Sequence, residues 1–281
     1  MPELPEVETI TCKLKAHIVG KRVTNLSVLH PKSMKGDFRQ LIGKQIIGIS
    51  RKAKIIRLHF PEQINILIHL KMTGQLIYTD LQTHIGGGHP TADWVSELPS
   101  KHTRIMVQLS DDATLFFNDQ RLFGWWKVMD DGQVEVEYKK LGLDIIDPSF
   151  TAMKLYDAFQ KTARPVKVVL MDGGIVSGVG NIYACDALNL AQIDPWRPAK
   201  SLSEQEAECL YEAALTVIWR GIELGGATID HYRNIEGFAG QYQNVVLVYS
   251  REGLPCYNCG VSLAKVKLAG RGTYYCPGCQ V

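Results

Sequence analysis

Residues 256–280 read CYNCGVSLAKVKLAGRGTYYCPGCQ, in which Cys256, Cys259, Cys276 and Cys279 form a C-x2-C-x16-C-x2-C array. Four thiolates at this spacing match a tetrahedral zinc site, each knuckle supplying two sulfurs. The sixteen residues between the knuckles can run out and back as a hairpin. A segment with so little core of its own depends on the metal, which contributes ~10–16 kcal/mol in isolated fingers. All four ligand positions are filled by protein sulfur, so one structural, non-catalytic zinc is expected. Gly270 and Gly272 flank Arg271 where the hairpin is expected to turn. A guanidinium on a narrow tip suits a DNA groove or a pair of phosphates, and equally suits a solvated turn.

The rest of the 281-residue chain is long enough for two domains. Its 46% hydrophobic and 21% charged content excludes a disordered chain. No apolar run approaches the ~20 residues of a membrane helix, and no secretory signal opens the sequence, so a cytoplasmic location is expected. Seven cysteines, with Cys12, Cys185 and Cys209 scattered, suit a reducing compartment better than a disulfide framework. The net charge of +2 does not indicate a polyanion partner. From Arg251 onward, however, Arg251, Lys265, Lys267 and Arg271 stand against Glu252 alone, a locally basic end that fits one.

The first ~130 residues read mostly as strands. The runs QIIGISRKAKIIRLHF, INILIHLKMTGQLIY, TRIMVQLS and ATLFFNDQRLFGWWKV are β-branched and aromatic, broken by Gly, Asp and Pro. One helix precedes them: Pro5 suits a first helical position, and Val7, Ile10, Leu14 and Ile18 share a face. The stretch HIGGGHPTADW reads as a loop or insertion. Past DIIDPSF the period changes, and SFTAMKLYDAFQ, ACDALNLAQ and SEQEAECLYEAALTVIWRGIEL read as helices. Ser203 and Glu206 form a capping-box pattern at the start of the longest.

SGVGNIYACDAL places Gly178 and Gly180 before a helix that Asn181 opens. Bare glycine backbone there admits a phosphate to the free N–H groups and the positive end of the helix dipole, and Asn181 can cap the helix or hold the phosphate. A plain glycine turn remains the alternative. A dinucleotide fingerprint fails because Tyr183 occupies the place of the third glycine.

The chain opens MPELPEVETI. Loss of Met1 gives Pro2 a free secondary amine beside the start of a helix, whose positive end lowers the amine pKa. A secondary amine attacking an anomeric carbon forms an iminium directly, and Glu3 is the adjacent acid. A rigid, capped terminus without chemistry is the alternative.

Together, PELPEVET, HLKMTG, NDQRLFG, SGVGNIYA and GRGTYYCPGCQ resemble the bacterial formamidopyrimidine-DNA glycosylase family, repair enzymes that remove oxidised purines, over nearly the whole chain. The resemblance implies an α+β multidomain fold. Residues 1–133 would be a catalytic β-sandwich with a leading helix and 134–148 a linker. Residues 149–225 would form a helix-two-turn-helix DNA-binding domain, 226–250 a lesion-capping loop and 251–281 the zinc finger. It implies a glycosylase and abasic-site lyase in which Pro2 attacks C1′, Glu3 transfers a proton as the sugar ring opens, and Lys54 helps bind the lesion. His69, Lys167, Asn181 and Arg271 match contacts to the DNA backbone. Met72, Arg121 and Phe123 match the residues that fill the gap left by a flipped base. His102 and Arg104 fall on a further DNA-contacting segment, matched imperfectly. The implied partner is duplex DNA carrying an oxidised base or an abasic site, bound by a bacterial, nucleoid-associated monomer.

Four positions depart from the family pattern. Asp186 replaces a usual glutamate, Leu122 a frequent arginine, and Asp230 and His231 a basic-then-acidic pair in the capping loop. These keep open a non-catalytic or altered-specificity DNA-binding protein, or a glycosylase preferring oxidised pyrimidines. A structural zinc module with a protein partner explains neither the terminus nor GVGNIY.

Overall fold

The computed structural model describes residues 2–89, 97–227 and 240–281. The chain divides into two compact units, one built from residues 1–139 and 224–243, the other from 140–223 and 244–281. No helix among the described residues is long and apolar enough to cross a membrane.

The first unit opens with helix α1 (Leu4–Ile18) and continues through strands β1 (Val23–Val28), β2 (Met34–Lys35), β3 (Gly48–Lys52), β4 (Ile55–His59), β5 (Ile64–His69), β6 (Gly74–Thr79), β7 (His84–Gly88), β8 (Thr103–Leu109), β9 (Thr114–Asp119) and β10 (Trp125–Asp130) to helix α2 (Asp131–Tyr138). The strands make two five-stranded sheets, β1-β8-β9-β6-β7 and β2-β10-β5-β4-β3. Their inner faces bury Ile56, Ile68, Leu76, Ile105, Phe117 and Trp126 in one core. Across it, Phe117 of one sheet meets Trp126 of the other with ring centroids 5.8 Å apart, which is the β-sandwich expected.

Helix α1 buries Val7, Ile10, Leu14 and Ile18, the face read from the sequence; each aliphatic chain so buried contributes roughly 1.5–3 kcal/mol. HIGGG is not a loop: residues 84–88 are β7, paired along β6 from Gly88↔Gln75 to His84↔Thr79. The glycines fit the packing, because a Cβ on Gly87 would sit 2.4 Å from Ile10 Cγ1. They give β7 a bare surface on which α1 can lie.

The stretch 134–148 also carries more structure than a linker. It includes the second half of α2, whose start is capped by Asp130 accepting from the Gln133 N–H at 2.7 Å. Asp131 fixes that helix to the sheet through Arg57 on β4 and Asn65 on β5.

The second unit holds β11 (Leu143–Asp144), α3 (Ala152–Gln160), α4 (Val166–Leu170), β12 (Val176–Ser177), α5 (Asn181–Leu190), α6 (Glu204–Glu223) and the hairpin β13 (Ala264–Leu268) and β14 (Arg271–Tyr275). The capping box at α6 forms as read: the Ser203 N–H donates to Glu206 Oε2 at 2.8 Å and the Glu206 N–H to Ser203 Oγ at 3.2 Å. Helix α5 is buried nearly all round, because α6 packs on one side and β14 on another. Inside it, the fully buried Asp186 carboxylate accepts the N–H groups of Leu247, Val248 and Tyr249 at 3.0, 3.0 and 3.2 Å.

Candidate active site and nucleic-acid interface

Strand register decides which side chains share one end of the sandwich. Ile55 and Trp125 both pair with His69, Gly74 pairs with Asp119, and Thr103 pairs with Asn118. The turns at 53–54, 70–73 and 120–124, with residue 102, therefore emerge together. Lys54, His69, Met72, His102, Arg104, Arg121 and Phe123, read separately from the sequence, thus belong to one edge of the unit.

Met72 and Phe123 are 40% and 52% exposed there. Single exposed apolar side chains are ordinary; what distinguishes these two is that both stand on the same edge as Lys54, His69 and Arg121. Arg121 stacks its guanidinium 4.7 Å from the Phe123 ring centre. Between them, Leu122 takes a left-handed backbone with φ of +58°.

His69 Nδ1 accepts the Lys71 N–H at 3.0 Å, so the neutral ring carries its proton on Nε2. Burial, then the charges of Lys71 and Lys54, push its pKa from 6.5 down to about 3. His69 is thus a neutral hydrogen-bond donor at physiological pH. Arg104 spends part of its guanidinium on the Asp119 and Lys101 carbonyls, at 2.8 and 3.1 Å.

The direction of α1 follows from its side-chain contacts. His17, near its end, lies 5.3 Å from the Tyr78 ring, toward the far end of β6. Glu8, near its start, pairs with Arg51 on β3, just before the Lys54 turn. The amino end of α1, with its positive dipole, thus points toward the edge that carries Lys54. Pro2 is buried there, and Glu3 is 3% exposed.

Glu6 fixes this start. Its Oε2 accepts the Glu3 N–H and its Oε1 the Ala227 N–H, both at 2.7 Å. Gly226, with φ of +85°, must be glycine-like here, since a Cβ would lie 2.7 Å from Glu6 Oε1. The Tyr242 N–H returns to the Gly226 carbonyl at 3.1 Å. Asp230 and His231 lie outside the described residues.

In the second unit, Lys167 is not on the surface. It is 2% exposed, and its ammonium donates to Asn181 Oδ1 and Thr273 Oγ1, both at 2.7 Å. Asn181 Nδ2 donates to the Gly272 carbonyl at 3.0 Å. Asn181 opens α5 as read, with Gly180 as its cap. The hairpin turns at Ala269 and Gly270, both with positive φ, rather than at Arg271, which begins β14 and is exposed. Arg271 lines a cleft of about 270 Å³ with Arg164, Lys167 and Met171.

The four cysteine sulfurs lie within 4.8 Å of one another. Cys256 and Cys279 are 3.9 Å apart, Cys259 and Cys276 3.4 Å. Sulfurs at ~2.3 Å from a common tetrahedral zinc stand roughly 3.8 Å apart, so the set fits one structural zinc. Asn258 donates from its backbone N–H to Cys256 and from Nδ2 to Cys279, both at 3.4 Å, the kind of support metal ligands need. Gln280 accepts the Cys276 N–H at 2.8 Å and donates to the Ile193 carbonyl at 2.9 Å, anchoring the second knuckle.

Sequence reasoning missed Glu6, Thr73, Asp119, Thr273 and Gln280. None contacts a ligand by its residue type alone. Within HLKMTG and NDQRLFG nothing in the sequence itself singles out Thr73 or Asp119.

Three family descriptions match successive parts of the chain: the formamidopyrimidine-DNA glycosylase N-terminal domain over residues 1–126, the H2TH domain of the same enzymes over 141–233, and the zinc finger found in FPG and IleRS over 253–281. Formamidopyrimidine-DNA glycosylase of Pelotomaculum thermopropionicum is 36% identical over 287 aligned residues, covering 100% of this chain and 99% of that protein. The Listeria innocua protein of the same name is 34% identical, with 100% of both covered. Among solved structures, the Lactococcus lactis enzyme bound non-covalently to DNA containing an abasic site matches with a TM-score of 0.85 and 30% identity over 99% of each chain. A variant of that enzyme with DNA containing Fapy-dG matches at 0.88 and 31%, again over 99% of each. With sandwich, helical unit and four-cysteine finger all matched in order, the chain belongs to the formamidopyrimidine-DNA glycosylase family of DNA-repair enzymes.

Proposed function

We propose that the protein is a bifunctional glycosylase and abasic-site lyase that excises oxidised purines from duplex DNA. The observation that supports this most is the placement of Pro2 and buried Glu3 at the positive end of α1, directed to the edge bearing Lys54, His69, Met72 and Arg121. With Met1 removed, the Pro2 nitrogen attacks C1′ of the damaged nucleotide. The glycosidic bond breaks, its electron pair leaving with the base, which takes up a proton. Glu3 protonates O4′ as the ring opens, giving an iminium between Pro2 and C1′. Loss of a C2′ proton expels the 3′ phosphate, and a second elimination expels the 5′ phosphate. Hydrolysis of the iminium then frees Pro2.

Lys54 and His69 bind the lesion and its phosphates, with His102 and Arg104 supporting the same strand. Met72, Arg121 and Phe123 occupy the vacated stack. Asn181 and Arg271 meet backbone phosphates, with Lys167 behind Asn181. The zinc shapes the hairpin that carries Arg271 and takes no part in the chemistry.

Borohydride trapping on abasic-site DNA tests the reading. A covalent adduct that disappears in Pro2→Gly and in protein retaining Met1 supports it; fully processed protein without an adduct overturns it. Asp230 and His231 favour an altered lesion preference as a second reading, which base release from duplexes carrying 8-oxoguanine, formamidopyrimidines or oxidised pyrimidines separates.

A further inference from the structure

The turn bearing Met72 and the turn bearing Arg121 and Phe123 are joined by one buried carboxylate. Asp119, the last residue of β9, is 0% exposed. Its Oδ1 accepts from the Thr73 hydroxyl and from the Arg121 N–H, the latter at 3.2 Å. Its Oδ2 accepts the Gly124 N–H at 2.7 Å. Thr73 Oγ1 in turn accepts the Arg121 N–H at 3.1 Å. The backbone of Asp119 extends the set: its N–H donates to the His102 carbonyl at 2.9 Å, and its carbonyl accepts from Arg104 Nε.

A buried carboxylate is unfavourable unless several donors meet it, and Asp119 is met by three. Here the donors belong to the two turns whose tips expose Met72 and Phe123. Gly124 closes the second turn so tightly that a Cβ would lie 2.6 Å from Phe117 Cζ and 3.1 Å from Asp119 Oδ2. Met72 and Phe123, at the tips, are 40% and 52% exposed, while the backbone that carries them is held from below by Asp119.

We propose that Thr73 and Asp119 are positioning residues that lock the Met72 turn to the Arg121–Phe123 turn, so that the three side chains enter the base stack as one wedge. This rests on the gap-filling role proposed above for those three. Thr73 is the sensitive member: its hydroxyl donates to Asp119 of one strand end while accepting from the other turn. Valine has the same shape and breaks the bridge, whereas serine keeps it.

The test uses the processed full-length protein and a duplex with a tetrahydrofuran abasic analogue opposite 2-aminopurine, whose fluorescence reports stacking around the orphan base. No bond is made or broken, so the reading is independent of Pro2 chemistry, which the borohydride experiment tests separately. Thr73→Val is expected to reduce the fluorescence change at saturation by about half and to weaken binding about tenfold, the scale of one lost buried hydrogen bond. Thr73→Ser is expected to restore both. In a Met72→Ala background Thr73→Val should add little, since coupled residues are non-additive. A full-amplitude response in Thr73→Val, or additive losses with Met72→Ala, overturns the proposal, as does wild-type protein that leaves the probe unchanged. If Thr73→Val loses its melting transition, Asp119→Asn carries the same readout, with a reduced amplitude expected and a wild-type amplitude overturning it.

Discussion

The Lys167 ammonium lies 2.7 Å from the Thr273 hydroxyl and 2.7 Å from Asn181 Oδ1, so one buried cation ties the zinc hairpin to the start of α5. Lys167→Met leaves both oxygens without that donor. A loss of about 1–3 kcal/mol in urea unfolding of the zinc-loaded protein is expected. DNA affinity should weaken while its salt slope changes little, because the ammonium is engaged inside the protein. Arg271→Ala, removing an exposed cation, should instead lower the slope by about 0.9.

Asp186 predicts that two conservative changes both destabilise, for different reasons. Asp186→Asn keeps the shape but presents an NH2 group to a cluster of three N–H donors. It should cost about 1–3 kcal/mol, more for the loss of a charged acceptor. Asp186→Glu adds a methylene in a fully buried site, and overpacking there should cost about 1–3 kcal/mol. Thermal melting of both variants checks this; two neutral outcomes would contradict the geometry.

His69 makes stability depend on pH. The unfolded imidazole takes up a proton near 6.5, while the folded one stays neutral to about 3. The folded state is therefore fully favoured above 6.5 and loses stability as pH falls from 6.5 toward 3. At pH 5 the loss from this group is about 2 kcal/mol. Unfolding curves at pH 7.5 and 5.0 measure it, and His69→Gln should flatten the difference.

Zinc removal should act on the second unit. Chelation is expected to abolish the hairpin and release Arg271 from its place, with binding to abasic-site DNA lost and restored by added zinc. Circular dichroism of the β-sandwich should persist, since its core of Ile, Leu, Phe and Trp residues is closed without the metal.

Much of this architecture was legible in the sequence because its signals are local. The C-x2-C pairs, the helical face Val7–Ile10–Leu14–Ile18 and the Ser203–Glu206 box each depend on neighbours a few residues apart. HIGGG reads as a loop in sequence because the reasons for its glycines, Ile10 beside Gly87 and the β6 backbone beside Gly88, lie elsewhere in the chain. The family resemblance marks Lys167 as a contact to the DNA backbone, whereas its bond to Thr273, about a hundred residues on, depends on the fold. The edge of the sandwich was legible as separate motifs, whereas its unity depends on strand register. Asp119 and Thr73 carry no chemistry of their own, so only their partners distinguish them from ordinary turn residues.

Glu6 divides its two oxygens between the Glu3 and Ala227 amides. Any kinetic defect caused by altering it would therefore be shared by segments more than two hundred residues apart. Slow turnover in such a variant could not be assigned to the reacting end of the chain without first asking what had happened at the other anchor. A carboxylate outside the chemistry would then give the symptoms of one within it.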